Sequence, residues 1–496
     1  MAVDKRIQRY NPSESGKQGT RGYRPHIIIK FHDIIRFCDK SEISYEEMAE
    51  KYQEQLGAPW EQMDKEFPGV TISRLYTALE PEQVRSRVDK EAELVRKHTP
   101  WYLLREVELD RNQIPTSMLN YFLVDCPKGV VPEVLVKAFK RWPSVQTAYF
   151  YSPGSDPVVN PVDDTPHFAD QGYLGPAPVG IDAEYAWPRA DGTGFTGGDG
   201  AGISVIDMEK GWTLNHQDLN AHGAKLLHGT IRDKSRSHGT SMLGIIGAVD
   251  NALGCVGIAP HAASVNVVSY HGSTRADAIL KAIDNLQFGD ILLLAAQISR
   301  VEIDDTTWRQ MPVEVQDAEF DMVRLATALG IVVVEAAGNG GNDLDAFAND
   351  AGDQILNRGS SDFRDSGAIV VGAASSAVPH TRVEQSNFGS RVDCYAWGED
   401  VVSTSSDKNG ATDKYTNYFG GTSSASAIVT GAALVVQGVV EANLGKRFTP
   451  HQMRTILSNA ANGTRSNDPD IDRVGVMPDL RKILQNVIVK PVWHLV

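Results

Sequence analysis

Apolar and polar positions alternate along this chain in two different rhythms. In the first 150 residues, short β-branched and aromatic runs predict strands at His26-Ile27-Ile28-Ile29-Lys30-Phe31, Asn120 to Asp125 and Val145 to Tyr151. Between them, amphipathic stretches predict helices near Tyr45–Leu56, Pro81–His98 and Pro132–Trp142, the second with acid–base pairs at helix spacing. Residues 1–24 are polar and read as a flexible leader, 25–151 as a small α+β unit. Residues 152–170 are rich in proline and acids without periodicity and read as a linker, a natural place for autoprocessing. From 171 to 490 the rhythm changes. Ile203-Ser204-Val205-Ile206-Asp207 and Gly330 to Ala337 read as buried strands, while Met242 to Ala248 and Ala427 to Ala433 are small-residue runs suited to close helix packing.

Candidate chemistry sits where these elements begin or end. Gly421-Thr422-Ser423-Ser424 places a serine on a glycine-led turn before a helix, where free N–H groups favour negative charge. A serine hydroxyl is a poor nucleophile without an adjacent base and donors for the oxyanion. Asp207 closes a strand, and Ser237-His238-Gly239-Thr240 puts a histidine at the mouth of a helix. The order Asp, His, Ser supplies a carboxylate to orient the base, the base, and the nucleophile. Each residue alone has a plainer reading: Asp207 as a cap, Asn339 as a strand terminator, and His216, His222, His228, His261 and His271 as ordinary domain histidines.

With Ala336-Ala337-Gly338-Asn339 added, the chain resembles the subtilisin-like serine peptidase family over about residues 170 to 460. Gly257-Ile258-Ala259-Pro260 and Ser386-Asn387-Phe388-Gly389 add to the likeness. The resemblance implies an α/β, three-layer fold with a mainly parallel central sheet. It implies Asp207, His238 and Ser423 as a triad, Asn339 as oxyanion donor, and cleft walls at Ala295, Ala296, Gln297 and at Ala336, Ala337, Gly338. It further implies that the N-terminal unit is a propeptide that inhibits its own enzyme, that no cofactor is needed for chemistry, and that Gln171, Asp218 and Asn251 match ligands of a structural calcium. The departures are specific. Met208-Glu209 replaces the small residue and glycine that usually follow the aspartate, Gln297 stands in place of a glycine, and about Arg300 to Asp321 is inserted.

Composition narrows the partners. The chain has 496 residues and a net charge of −15. Residues 1–165 hold 23 Lys/Arg against 25 Asp/Glu, and the remainder 25 against 38, so the acidity lies in the larger unit. That surface disfavours nucleic acid. No uninterrupted apolar run reaches the ~18 residues needed to span a bilayer, and no secretory signal is visible, which reads as cytoplasmic, or exported without a recognisable signal. The four cysteines are scattered and read as reduced core thiols. The insertion's acids, Glu302, Asp304, Asp305, Glu314, Asp317, Glu319 and Asp321, together with Glu335, Asp343 and Asp345, suggest a polypeptide substrate with basic residues near the scissile bond. Two alternatives stay open: a peptide ligase or macrocyclase on the same fold, and a non-catalytic binding scaffold.

Overall fold

In a computed structural model of the chain, residues 26–32, 65–76, 118–126, 130–151 and 168–489 are described, apart from 190–191, 252 and 304–305, with isolated positions between 35 and 83. The leader 1–24, most of the expected helices Tyr45–Leu56 and Pro81–His98, and 152–167 of the linker lie outside the described residues. Residues 168–170 form a 3₁₀ turn.

The N-terminal unit is an antiparallel sheet of β1 (His26–Phe31), β2 (Thr71–Arg74), β3 (Tyr121–Asp125) and β4 (Val145–Tyr151), in the order β2-β3-β1-β4. Helix α1 (Pro132–Lys140) starts on a proline, which needs no N–H at that position, and buries Leu135 and Phe139. Strand alternation sorts the side chains. Ile27, Ile29, Phe31, Phe122 and Val124 form the unit's own core with α1. Ile28, Tyr121, Leu123 and Tyr151 point the other way, into the core of the larger domain.

That larger domain is built on a nine-stranded sheet. Its strands are β5 (Ser204–Glu209), β6 (Leu226–His228), β7 (Ser264–Ser269), β8 (Ile291–Leu294), β11 (Val332–Ala336), β12 (Ile369–Ala374), β13 (Cys394–Trp397), β16 (Gly463–Arg465) and β17 (Val476–Pro478). Two hairpins lie outside it, β9 (Ile298–Ile303) with β10 (Thr306–Met311) and β14 (Val401–Ser405) with β15 (Lys414–Phe419). The order is β16-β17-β13-β12-β11-β8-β5-β7-β6, parallel except for the edge strand β16. Parallel strands covered on both faces read as continuous apolar runs, as in Ile291-Leu292-Leu293-Leu294. Helices α2 (Arg236–Gly247) and α5 (Gly421–Leu444) pack together in one layer; α3 (Arg275–Asn285) and α4 (Asp317–Ala328) pack together in the other. The α/β, three-layer expectation holds.

By length and composition α5 could cross a membrane, yet its most apolar 18-residue window is wholly buried in the protein. Cys126, Cys255 and Cys394 are free and buried, as expected.

The N-terminal sheet docks on the starts of α3 and α4. The first N–H groups of a helix have no carbonyl one turn back. Arg275 N, at the start of α3, donates to Tyr151 Oη at 3.3 Å, and Ala318 N, at the start of α4, donates to Tyr149 Oη at 3.0 Å. Tyr76 Oη donates to Ala318 O at 3.3 Å, Lys30 pairs with Asp321 at 3.3 Å, and Tyr121 donates to the same carboxylate. The fully buried Arg275 lies over the Tyr151 ring and pairs with Glu319 at 3.1 Å.

Candidate active site

Because β5, β8 and β11 are parallel neighbours, their C-terminal ends open on one edge of the sheet, where open α/β sheets gather their chemistry. Glu209 closes β5, Ala295-Ala296-Gln297 follow β8, and Ala337-Gly338-Asn339 follow β11. The first turns of α2 and α5 bring His238 and Ser423 to this edge, each as the third residue of its helix. The His238 ring packs edge-on against Phe419, at the end of the hairpin strand leading into α5, with centroids 5.1 Å apart.

The carboxylate against the histidine is not the expected one. His238 Nδ1 lies 2.5 Å from Glu209 Oε1, and both side chains are buried. Glu209 Oε2 accepts from Lys210 N at 2.9 Å. Asp207 instead accepts from Trp212 Nε1 at 2.7 Å, and among the described residues no hydrogen bond or ion pair joins it to His238. Burial, reinforced by the charge of Glu209, pushes the Asp207 carboxyl well above the usual range, against the pull of the Trp212 N–H. The strand runs two residues further than its sequence suggests, and residues two apart share a face, so both acids were candidates. A signal was present: counted from Glu209 rather than Asp207, the expected small-residue-and-glycine pair becomes Lys210-Gly211 and the glycine returns. That glycine matters sterically. A Cβ on Gly211 would lie 2.4 Å from Arg232 O, and one on Gly239 would lie 2.4 Å from Gly211 O, so Gly239 lets α2 close on the segment after β5.

Helix α2 also begins six residues before the expected Met242, which places His238 inside its first turn. His238 Nε2 has no hydrogen-bond partner among the described residues. Contacts between nucleophile and base often tighten only when substrate is bound. Ser423 N belongs to the group of helix N–H donors left free at an N-terminus. Beside it, Asn339 Oδ1 accepts from Thr422 N at 2.9 Å and from Thr422 Oγ1 at 3.2 Å. Gly421 has φ of 76°, and a Cβ there would sit 2.8 Å from Asn339 Oδ1, so this turn requires glycine on both counts.

The residues expected as cleft walls follow β8 and lie at and after the end of β11. Ala295, Ala296, Ala336 and Ala337 are buried, and Gln297 reaches across to Asn339. Strand β10 of the β9–β10 hairpin packs against the turn after β11. A Cβ on Gly338 would meet Gln310 O at 2.0 Å, and Asn387 Nδ2 ties Gln310 O to Ala337 O.

The acids expected beside the cleft have other partners. Glu314 pairs with the buried Arg391, Asp317 with Arg364, Glu319 with Arg275, Asp321 with Lys30, and Asp343 and Asp345 with Arg473. Glu335 accepts from Glu314 N. Asp304, Asp305 and the side chain of Glu302 lie outside the described residues. Among those described, the acidity serves ion pairs within the domain and the docking of the N-terminal sheet, because a buried carboxylate must find a cation or a donor.

Within the calcium trio the Asn251 side chain lies against Asp218, yet an oxygen of each residue faces a backbone amide. Gln171 Oε1 accepts from Val256 N, Asp218 Oδ2 from Cys255 N, and Asn251 Oδ1 from Leu253 N, so each oxygen turns to a different amide of one loop. The Tyr415 phenol lies against Asp218 and Gln217. Calcium takes six to eight oxygens around one point; here oxygens of the trio face backbone amides instead, and no group of three or more His, Cys, Asp or Glu side chains that could hold a metal occurs among the described residues.

A family model described as the subtilase family of peptidases matches residues 198–475, more than half of the chain. The chain belongs to the subtilase family. It is a subtilisin-like serine endopeptidase, and subtilases need no cofactor for catalysis. The chain is similar to an alkaline protease of Alkalihalobacillus alcalophilus, 28% identical over 295 residues, covering 59% of this chain and 66% of that protein. It is also similar to Subtilisin DY of Bacillus licheniformis, 29% identical over 252 residues, covering 50% and 81%. Among solved structures, a cold adapted subtilisin-like serine proteinase aligns with 21% identity over 57% of this chain and 89% of that one, with a TM-score of 0.39.

Proposed function

We propose that this subtilase cleaves polypeptides by acyl transfer through Ser423, His238 and Glu209, with Asn339 and the Ser423 N–H stabilising the oxyanion. The observation that carries this reading is the 2.5 Å contact of Glu209 with His238 Nδ1. A carboxylate there fixes the imidazole tautomer, leaving Nε2 to take the serine proton, and stabilises the imidazolium that forms. The Ser423 oxygen then attacks the scissile carbonyl. The oxyanion is met by an amide from the β11 turn and by an N–H at the positive end of α5. His238 next gives its proton to the leaving amine, and water resolves the acyl-enzyme by the same path in reverse.

In this proposal the N-terminal unit is the inhibitory half of a zymogen. It occupies the starts of α3 and α4 through its tyrosines, and the segment joining β4 to Phe168 is the processing region. With the described acids already paired, the reading assigns no preference for basic residues. Intact mass of the purified protein over time, beside Ser423→Ala, tests it. Wild type should split between residues 151 and 168 while the variant stays whole. Splitting of both would remove Ser423 from the chemistry. A wild type that stays whole yet turns over a supplied peptide would make the N-terminal unit a permanent domain.

A further inference from the structure

An oxyanion amide is useful only if one of its N–H bonds already points where the charge will form, because a donor that must reorganise loses much of its advantage. The terminal torsion of an asparagine is broad, so nothing in the side chain itself supplies that order. In this protein the Asn339 amide is held at both ends. Thr422 N and Oγ1 both donate to Oδ1, which also fixes which end of the amide is oxygen. At the other end, Nδ2 donates to Gln297 Oε1 at 3.3 Å. That same oxygen accepts the Asn339 backbone N–H at 3.0 Å. One acceptor therefore ties side chain and main chain of the same residue together. Nδ2 carries two hydrogens; with one directed at Gln297, the other remains for a substrate oxygen.

Gln297 is well placed for this. It follows β8, a neighbour of β11, and its side chain is buried, as are the small Ala295 and Ala296 before it. A glycine at 297 would leave the Asn339 N–H and one Nδ2 hydrogen without this acceptor. We propose that Gln297 is a positioning residue of this subtilase: its amide oxygen locks Asn339 in the orientation that receives the oxyanion, without itself touching the substrate. This rests on the reading of Ser423 and Asn339 given above.

The test uses the full chain and a fluorophosphonate probe, whose reaction with Ser423 develops negative charge on the phosphoryl oxygen and is read by mass. Met is unbranched and of similar length to Gln but lacks the amide acceptor. Gln297→Met should slow kinact roughly tenfold, the scale of one lost net hydrogen bond, with KI unchanged; Tm falls because the Asn339 N–H loses its acceptor, and circular dichroism checks that the fold is kept. In an Asn339→Ala background, Gln297→Met should change kinact by less than about twofold, since the residue acts through Asn339. Equal or faster reaction of Gln297→Met overturns the proposal, and faster reaction would make Gln297 a plug rather than a clamp. Losses that multiply in the double variant overturn it too. Failure of the site reading looks different: the probe would label Ser423→Ala as well as wild type, or would leave wild type unlabelled.

Discussion

Two buried acids on one strand face, Asp207 and Glu209, differ only in what they meet. Glu209 meets an imidazole and a backbone N–H, Asp207 an indole N–H. Glu209→Gln should therefore lower kcat by about 10⁴-fold, the loss seen when the orienting carboxylate of a serine triad becomes an amide. Asp207→Asn keeps an acceptor for Trp212 and should leave kcat within a few fold. The reverse ranking in steady-state turnover would return Asp207 to the triad. A further buried acid, Glu335, carries a pH signature. Burial, followed by the charge of Glu314, pushes its carboxyl from 4.5 up to about 8. A raised folded value means that the unfolded chain releases this proton first, so stability falls as pH rises between these values and the cost is complete above the upper one. Glu335→Gln removes that dependence while keeping an oxygen for Glu314 N. Its Tm relative to wild type should rise between about pH 5 and about pH 9. Parallel Tm curves would show that Glu335 does not titrate in this window.

At the scale of elements, the N-terminal sheet meets the peptidase domain through helix starts. Thr274 caps α3 by accepting from Asp277 N, which leaves Arg275 N for Tyr151; Gln316 offers α4 no side-chain cap, and Ala318 N goes to Tyr149. Each hydroxyl satisfies an amide that would otherwise be buried and unpaired. Tyr149→Phe and Tyr151→Phe should each cost about 1 kcal/mol in denaturant unfolding. Because the two bonds lie on different helices, the double variant should lose about the sum. Losses within error would mean that water replaces the hydroxyls and that apolar packing of Ile28, Tyr121 and Leu123 carries the docking. Much of the element pattern was legible: β1 and β4 have their expected limits, and α1 starts at Pro132 as expected. What was not legible was extension by tertiary contact. Strand β5 continues through Met208 and Glu209 because β7 pairs with both and β8 with Met208, and α2 begins at Arg236, before its apolar face starts.

Across the whole molecule, the sequence determined what local chemistry can specify. Short motifs with fixed backbone demands marked Ser423 on its glycine turn, His238 beside Gly239, and Asn339 after a β-branched strand. Continuous apolar runs marked a sheet covered on both faces. Those features depend on residues adjacent in the chain, so they survive without knowledge of distant partners. The choice between Asp207 and Glu209 depended on where α2 lands on the end of β5. What Gln171, Asp218 and Asn251 accept from depended on which backbone amides the 251–256 loop turned toward them. The pairing of the insertion's acids depended on arginines and a lysine as far away as Arg391 and Lys30. Tertiary structure alone decided these matters, because a buried charge is governed by the nearest opposite charge or donor in space, and folding brings that group from any distance along the chain.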